Sequence, residues 1–240
     1  MMAGKMEEKL AGGKSTAEVV KIGNTVLRTV STHSPFVHEL LNLLRQNNFF
    51  AAPQFLGIDD KGREILSYIE GTVPKELKYF NNAQLSMAAR LIKDFHKATL
   101  GSTLAGSCEV ICHNDLTPCN TVFVNNMPVA FIDFDAAAPG ARIRDLGYAI
   151  WQWCDLGNEE ISLNQQAERI KVFLVSYGEV ELKQLIPTIL KRQKELIDFC
   201  KIASKTNPYW HEAEKWGRKR MKWLINYKED LEKLIIYESK

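Results

Sequence analysis

Two short loops rich in Asp and Asn, joined by a hairpin-like pair of strands, constrain this chain more than any other feature of its 240 residues. The first loop follows Val110-Ile111-Cys112 and reads His113-Asn114-Asp115-Leu116-Thr117-Pro118-Cys119-Asn120. The second is Asp133-Phe134-Asp135, at the end of the apolar run Val129–Ile132. Between them, Thr121–Val124 and Val129–Ile132 read as strands joined by Asn125-Asn126. A hairpin returns its ends to one place, so the two loops are expected to face each other. Carboxylate and amide oxygens at that density suit Mg²⁺, a hard cation held by few protein groups together with phosphate oxygens. The spacing fits phosphoryl transfer, which needs a carboxylate to accept the acceptor hydroxyl's proton and metal to neutralise the phosphates. In that reading Asp115 orients and deprotonates the acceptor, and Asn120 and Asp133 hold the metal. A single Asp or Asn here would do no more than close a turn; the joint pattern is what points to chemistry.

The rest of the chain divides around these loops. Glu18–Ile22 and Thr25–Val30 read as strands about the turn Gly23-Asn24. Ser34-Pro35 opens a helix with Phe36, Leu40, Leu43 and Leu44 on one face. Phe55–Ile58 and Glu64–Ile69 flank a second turn, Asp59-Asp60-Lys61-Gly62. After Gly71-Thr72-Val73-Pro74 helices dominate: Asn82–Ala98, Ile143–Cys154, Glu159–Tyr177, Leu182–Ala203 and Glu212–Glu238. The expected fold class is α+β and bilobal. A small antiparallel-sheet lobe, residues 1–70, binds nucleotide. A larger, mostly helical lobe, residues 71–240, carries catalysis and the acceptor. The cleft between them is the natural ligand site.

Composition narrows the function classes. A formal net charge of +2 gives no reason to expect a nucleic-acid partner. No apolar run reaches the length of a membrane helix, so no membrane partner is expected. Met1 to Leu10 carries Lys5, Glu7, Glu8 and Lys9 where a secretory signal would be apolar, and a cytoplasmic protein is expected. The five cysteines contain no Cys-x-x-Cys pair and are read as reduced thiols.

The run His113–Asn120 with Ile132-Asp133-Phe134-Asp135 resembles the aminoglycoside phosphotransferase and choline kinase-like family, and the resemblance extends from about Leu10 to about Trp153. It implies a protein-kinase-like fold, Mg²⁺ with ATP or GTP in the cleft, and phosphate transfer to a hydroxyl of a small molecule. By the family's motif, Asp115 is similar to the catalytic base, and Asn120 and Asp133 to the metal ligands. Asp135 is similar to a second acid that often follows. Arg144-Asp145-Leu146-Gly147 resembles a later segment of the family, in which Asp145 buttresses the catalytic loop through His113 or through backbone amides. His96 resembles a helix-end histidine and is read as packing.

The resemblance also assigns the first lobe, with departures. Gly12, Gly13 and Ser15 stand where a phosphate-covering loop is expected, although an ordinary turn fits the glycines too. A Walker A reading of Gly13-Lys14-Ser15 fails, because Glu8 stands where that motif needs Gly. Arg28 stands where the family's phosphate-contacting Lys is expected, and its planar fork is no point-charge equivalent. Register on the following helix falls on His38, with Glu39 beside it as the expected acidic partner. Leu66–Gly71 resembles the hinge, where Tyr68 and Ile69 would meet the base. Asn114 replaces a usual Gly.

The acceptor is less legible. Trp151, Trp153, Trp210, Trp216 and Trp223 fit either an aromatic wall or core filling. Asp155, Glu159 and Glu160 fit either a cationic acceptor or a helix start. Arg218–Lys222 reads as a solvated basic face. The leading reading is a small-molecule kinase acting on an aminoglycoside-like compound or another small metabolite. The alternative is a catalytically weak nucleotide-binding or scaffold protein on the same fold, motivated by Arg28. A phosphohydrolase using Asp133 and Asp135 would need alternating strands and helices about a parallel sheet, and the strands here are hairpin-like.

Overall fold

The structure is a computed structural model that describes residues 7–10 and 19–236. Five antiparallel strands form the first lobe: β1 (Glu7–Lys9), β2 (Val20–Ile22), β3 (Thr25–Thr29), β4 (Phe55–Ile58) and β5 (Arg63–Ser67), in the order β1-β2-β3-β5-β4. Helix α1 (Ser34–Gln46) starts with Pro35 in its first turn, where a missing N–H costs nothing. Its Val37, Leu40, Leu41 and Leu44 are buried at the helical period and join one core with residues of the second lobe.

Residues 68–71 lead from β5 to the second lobe. Gly71 sits at φ +149°, and a Cβ there would lie 2.6 Å from the Phe123 carbonyl oxygen. Only glycine lets the connector approach this closely. Thr72 and Phe123 then exchange backbone hydrogen bonds at 2.9 and 2.8 Å, fastening the connector to the hairpin between the two Asp/Asn loops.

The second lobe is built on α2 (Asn82–Thr99), α3 (Arg142–Trp153), α4 (Leu163–Tyr177), α5 (Leu182–Ala203) and α6 (Tyr209–Ile236). Asn81 and Gln84 close a reciprocal capping box at the start of α2. Helix α4 begins at Leu163 rather than Glu159, because Ser162 caps it in a box with Gln165. Helix α6 begins three residues before the expected Glu212, where the Asn207 side chain accepts the Tyr209 amide at 3.0 Å. The predicted hairpin is β7 (Thr121–Val124) and β8 (Met127–Phe131), paired antiparallel. Two further strands, β6 (Val110–Cys112) and β9 (Ala138–Gly140), also pair antiparallel. They are too short to announce themselves by periodicity. No described helix is long and apolar enough to cross a membrane.

Candidate active site

Strand β6 is buried along its length and delivers the first loop at His113. The loop is held from below by Asp145, a fully buried carboxylate in the first turn of α3. Its Oδ2 accepts the His113 amide at 2.7 Å and its Oδ1 accepts the Asn114 amide at 2.8 Å. His96 Nε2 lies 3.1 Å from Oδ2, and the other ring nitrogen of His96 meets the Tyr177 hydroxyl at 2.9 Å. Burial alone would raise the Asp145 pKa; the hydrogen bond and charge of His96, with those of His113, hold it below the usual carboxylate range.

These bonds set the shape of the loop. Asn114 sits at φ +65°, a left-handed conformation that Asn tolerates better than most residues. Its side chain donates to the Ala136 carbonyl at 2.9 Å and accepts from Arg144 Nε at 2.7 Å. Arg192 on α5 donates to the Asn114 carbonyl at 2.7 Å. Trp153 donates from its indole nitrogen to the Leu116 carbonyl at 3.1 Å.

Asp115 and Asn120 meet directly. Asn120 Nδ2 donates to Asp115 Oδ2 at 2.7 Å and to the Asp115 carbonyl at 3.0 Å. The Asn120 amide nitrogen is thereby engaged, leaving Oδ1 to act as a ligand oxygen. Tyr148 lies against Asp115; burial, and then the Asp115 charge, push its phenol well above its ordinary range.

The second loop faces the first. His113 Nε2 meets the Ile132 carbonyl at 3.1 Å, and its ring packs on Phe134 with centroids 4.5 Å apart. Asp133 follows at φ +65°. Burial raises its pKa, and the neighbouring Asp135 and Asp115 charges add to that, while His113 and Arg28 pull it down. Crowded, half-buried carboxylates beside a free amide oxygen form a donor set that fits a hard divalent cation. Among the described residues no cluster of three His, Cys, Asp or Glu side chains has metal-binding geometry. The fit is therefore to a cation held by Asn120, Asp133 and phosphate oxygens together.

Arg28 reaches this loop from β3. It forms a bidentate pair with Asp135, at 3.0 and 2.6 Å, and lies 3.8 Å from Asp133 Oδ1. Its acidic partner is not Glu39, which is exposed on the outer face of α1. The partner is Glu64, directly opposite Arg28 in the β3–β5 ladder, with Nε 2.5 Å from Oε1. His38 Nε2 meets the other oxygen of Glu64 at 2.6 Å. A signal for Glu64 stood in the sequence: strand alternation puts it on the same face as buried Leu66.

Gly12, Gly13 and Ser15 lie outside the described residues; β1 and β2 pair on either side of that segment. In the hinge, the Tyr68 amide already donates to the Asn24 carbonyl at 2.9 Å, and Lys21 sits over the Tyr68 ring at 3.7 Å. Trp151 and Trp153 are fully buried in the core and form no wall. Asp155 pairs with Arg220 at 2.8 Å and Glu159 with Lys219 at 2.7 Å, so both acids are engaged by α6.

Comparison with known proteins agrees with this geometry. Residues 76–170, which hold both loops and Asp145, match the phosphotransferase enzyme family. A trifolitoxin immunity protein of Rhizobium leguminosarum bv. trifolii is 26% identical, over 92% of this chain and 95% of its own length. The GDP complex of aminoglycoside 2'-phosphotransferase-IIIa superposes with a TM-score of 0.65 at 14% identity, covering 92% of each chain. A choline/ethanolamine kinase family protein from Mesorhizobium loti gives 0.62 at 14% identity, covering 96% of this chain and 92% of the other. The match over residues 76–170 and the shared fold make this chain similar to phosphotransferases of the aminoglycoside phosphotransferase and choline/ethanolamine kinase kind.

Proposed function

We propose that this protein transfers the γ-phosphoryl group of ATP or GTP to a hydroxyl of a small molecule, an aminoglycoside-like compound or another small metabolite. The observation that carries the reading is Asp115 held by Asn120 Nδ2, on a loop tied through His113 to the loop of Asp133. Asp115 accepts the proton of the acceptor hydroxyl as its oxygen attacks the γ-phosphorus. Asn120 orients that carboxylate while its Oδ1, with Asp133, holds Mg²⁺. That ion would supply neutralisation of the phosphate charge during transfer. Asp145 keeps the loop amides fixed, so little reorganisation is left for the reaction itself.

At the hinge, the Tyr68 amide is already engaged, so a base would meet Ile69 and the Tyr68 carbonyl. Gly12, Gly13 and Ser15 complete the proposed nucleotide site, residues 1–70 its lobe, and residues 71–240 the catalytic and acceptor-binding lobe. Because the curated relative is named for immunity to a toxin, toxic compounds belong among the acceptors tried. A cytoplasmic setting, without nucleic-acid or membrane partners, belongs to the same proposal.

The test is turnover of MgATP and MgGTP by the purified protein against a pooled panel of hydroxylated compounds that includes aminoglycosides and choline. A phosphorylated product that disappears with Asp115→Ala supports the reading and names the acceptor. A protein that binds Mg-nucleotide but gives no product across the panel favours the second reading, a nucleotide-binding module, to which Arg28 in place of Lys first pointed.

A further inference from the structure

The cation that β3 offers the nucleotide site is already engaged on both its edges. The ladder register sets Arg28 opposite Glu64, and Glu64 is fully buried. Glu64 pairs with the Arg28 charge, its Oε1 lying 2.5 Å from Nε without hydrogen-bond alignment, and is itself held by His38, whose ring stacks on Phe55 at 3.7 Å with an interplanar angle of 11°. The two terminal nitrogens of Arg28 grip both oxygens of Asp135. A continuous chain, His38–Glu64–Arg28–Asp135, therefore runs from α1 through the sheet to the loop of Asp133. A guanidinium can grip one carboxylate with its two terminal nitrogens while its charge pairs with a second, which an ammonium does not reproduce.

We propose that Arg28 is a positioning residue of the metal loop rather than a phosphate ligand. It fixes Asp133-Phe134-Asp135 through Asp135, and Glu64 with His38 aims its fork. Asp135 is then the anchor of the loop, and Asp133 with Asn120 are its metal ligands. One consequence runs against the family resemblance: placing the family's Lys at position 28 impairs the site instead of restoring it. The inference rests on the phosphotransferase reading proposed above.

The experiment is calorimetric binding of ATP and GTP to the full chain across a Mg²⁺ series and in EDTA, for the wild type, Arg28→Lys, Asp135→Asn and the double variant. Removing such an outer-shell partner commonly costs metal affinity about tenfold or more. Arg28→Lys is therefore expected to raise the half-saturating Mg²⁺ concentration by about tenfold and to leave nucleotide affinity in EDTA within about twofold. Asp135→Asn moves the same quantity in the same direction, and the double variant is no worse than the worse single one, because both break one link. Should Arg28→Lys fail to fold, by its melting curve, Asp135→Asn alone decides by the same Mg²⁺ criterion. Wild-type Mg²⁺ dependence in the folded variants overturns the inference and leaves the functional reading standing. An equal loss of affinity with and without Mg²⁺, the mark of a phosphate ligand, overturns it as well. A wild type that binds no Mg-nucleotide overturns both.

Discussion

The two lobes hold their functional residues by different means. In the second lobe, the Asp115 loop hangs on hydrogen bonds between a buried carboxylate and backbone amides, with Trp153 and Arg192 fastening carbonyls from the far side. Every partner lies within the lobe, and Asp145 is fully buried. In the first lobe, Arg28 is held by ion pairs, and one of them crosses to a loop whose Asp135 side chain is 42% exposed. Backbone bonds from a dry frame fix geometry to a fraction of an ångström and ignore salt. A partly exposed pair across a cleft yields to solvent and to a competing ion. The proposed base thus sits where the frame is rigid, and the Arg28 link to the loop of Asp133 where the frame can give.

The largest effect belongs to Asp115. Asp115→Ala is expected to lower turnover by at least about a thousandfold, within the range for loss of a general base together with the orientation it gives. Melting temperature and Mg-nucleotide affinity stay near the wild type, because Asp115 is only half-buried and its neighbours are anchored elsewhere. Steady-state kinetics beside calorimetric binding checks this. Turnover within tenfold of the wild type would remove Asp115 from the chemistry.

Asp145→Asn tests the rigid frame itself. The new amide nitrogen would face a backbone N–H, donor against donor, in a fully buried site. A loss of about 3 kcal/mol in a urea titration is expected. The pH dependence follows from the lowered Asp145 pKa. The group binds fewer protons folded than unfolded, so its contribution is complete above the ordinary carboxylate pKa, about 4. That contribution is lost as pH falls from there through the lower folded-state value. The wild type should lose stability through this acid range more steeply than Asp145→Asn. Parallel acid limbs for the two proteins would show that the frame does not depend on this carboxylate's charge.

How much of this was legible in sequence follows the same division. The Asp115–Asn120 loop, the hairpin and Asp133 were readable because a local motif encodes them. The order of the helices and of the longer strands followed from period and turn residues, while β6 and β9, three residues each, were too short to show a period. What escaped was held by long-range register. Glu64 becomes the partner of Arg28 only once β5 lies beside β3, and neighbouring Glu39 looked better placed when counted along α1. The Arg192 and Trp153 supports join residues 78 and 37 positions apart, and no spacing rule reaches that far. The tryptophans were ambiguous because an amphipathic helix buries aromatic residues for packing and for ligand contact alike.

Glu64→Gln sharpens the first-lobe side of the comparison. The amide keeps the shape and can still accept from one neighbour, but it loses the charge that opposes Arg28 in a buried position. Stability should fall by about 2 kcal/mol, less than for Asp145→Asn. Salt should separate the two losses. The Asp135 side of the network is partly exposed, so the gap between Glu64→Gln and the wild type should narrow in 1 M salt, while that of Asp145→Asn should not. Equal salt dependence would mean that the two lobes are not held by different forces.

The smallest effect is expected for Asn114→Gly, at a position that discriminates between backbone and side-chain control of the loop. Its φ of +65° costs an ordinary L-residue about 1–2 kcal/mol, which glycine avoids. Its side chain adds bonds to Ala136 and Arg144. Asn114→Ala loses the bonds and meets the strain, and should cost about 2 kcal/mol. Asn114→Gly loses the bonds but relieves the strain, and should stay within about 1 kcal/mol of the wild type. Because Asp145 holds the loop by its amides, which both variants retain, Asp115 keeps its place, and kcat for the glycine variant should fall by no more than a few fold. If Asn114→Gly instead lost as much activity as Asp115→Ala, the loop would owe its shape to the Asn114 side chain, and the contrast between a lobe fixed through its backbone and a lobe fixed through charge would fail at its rigid end.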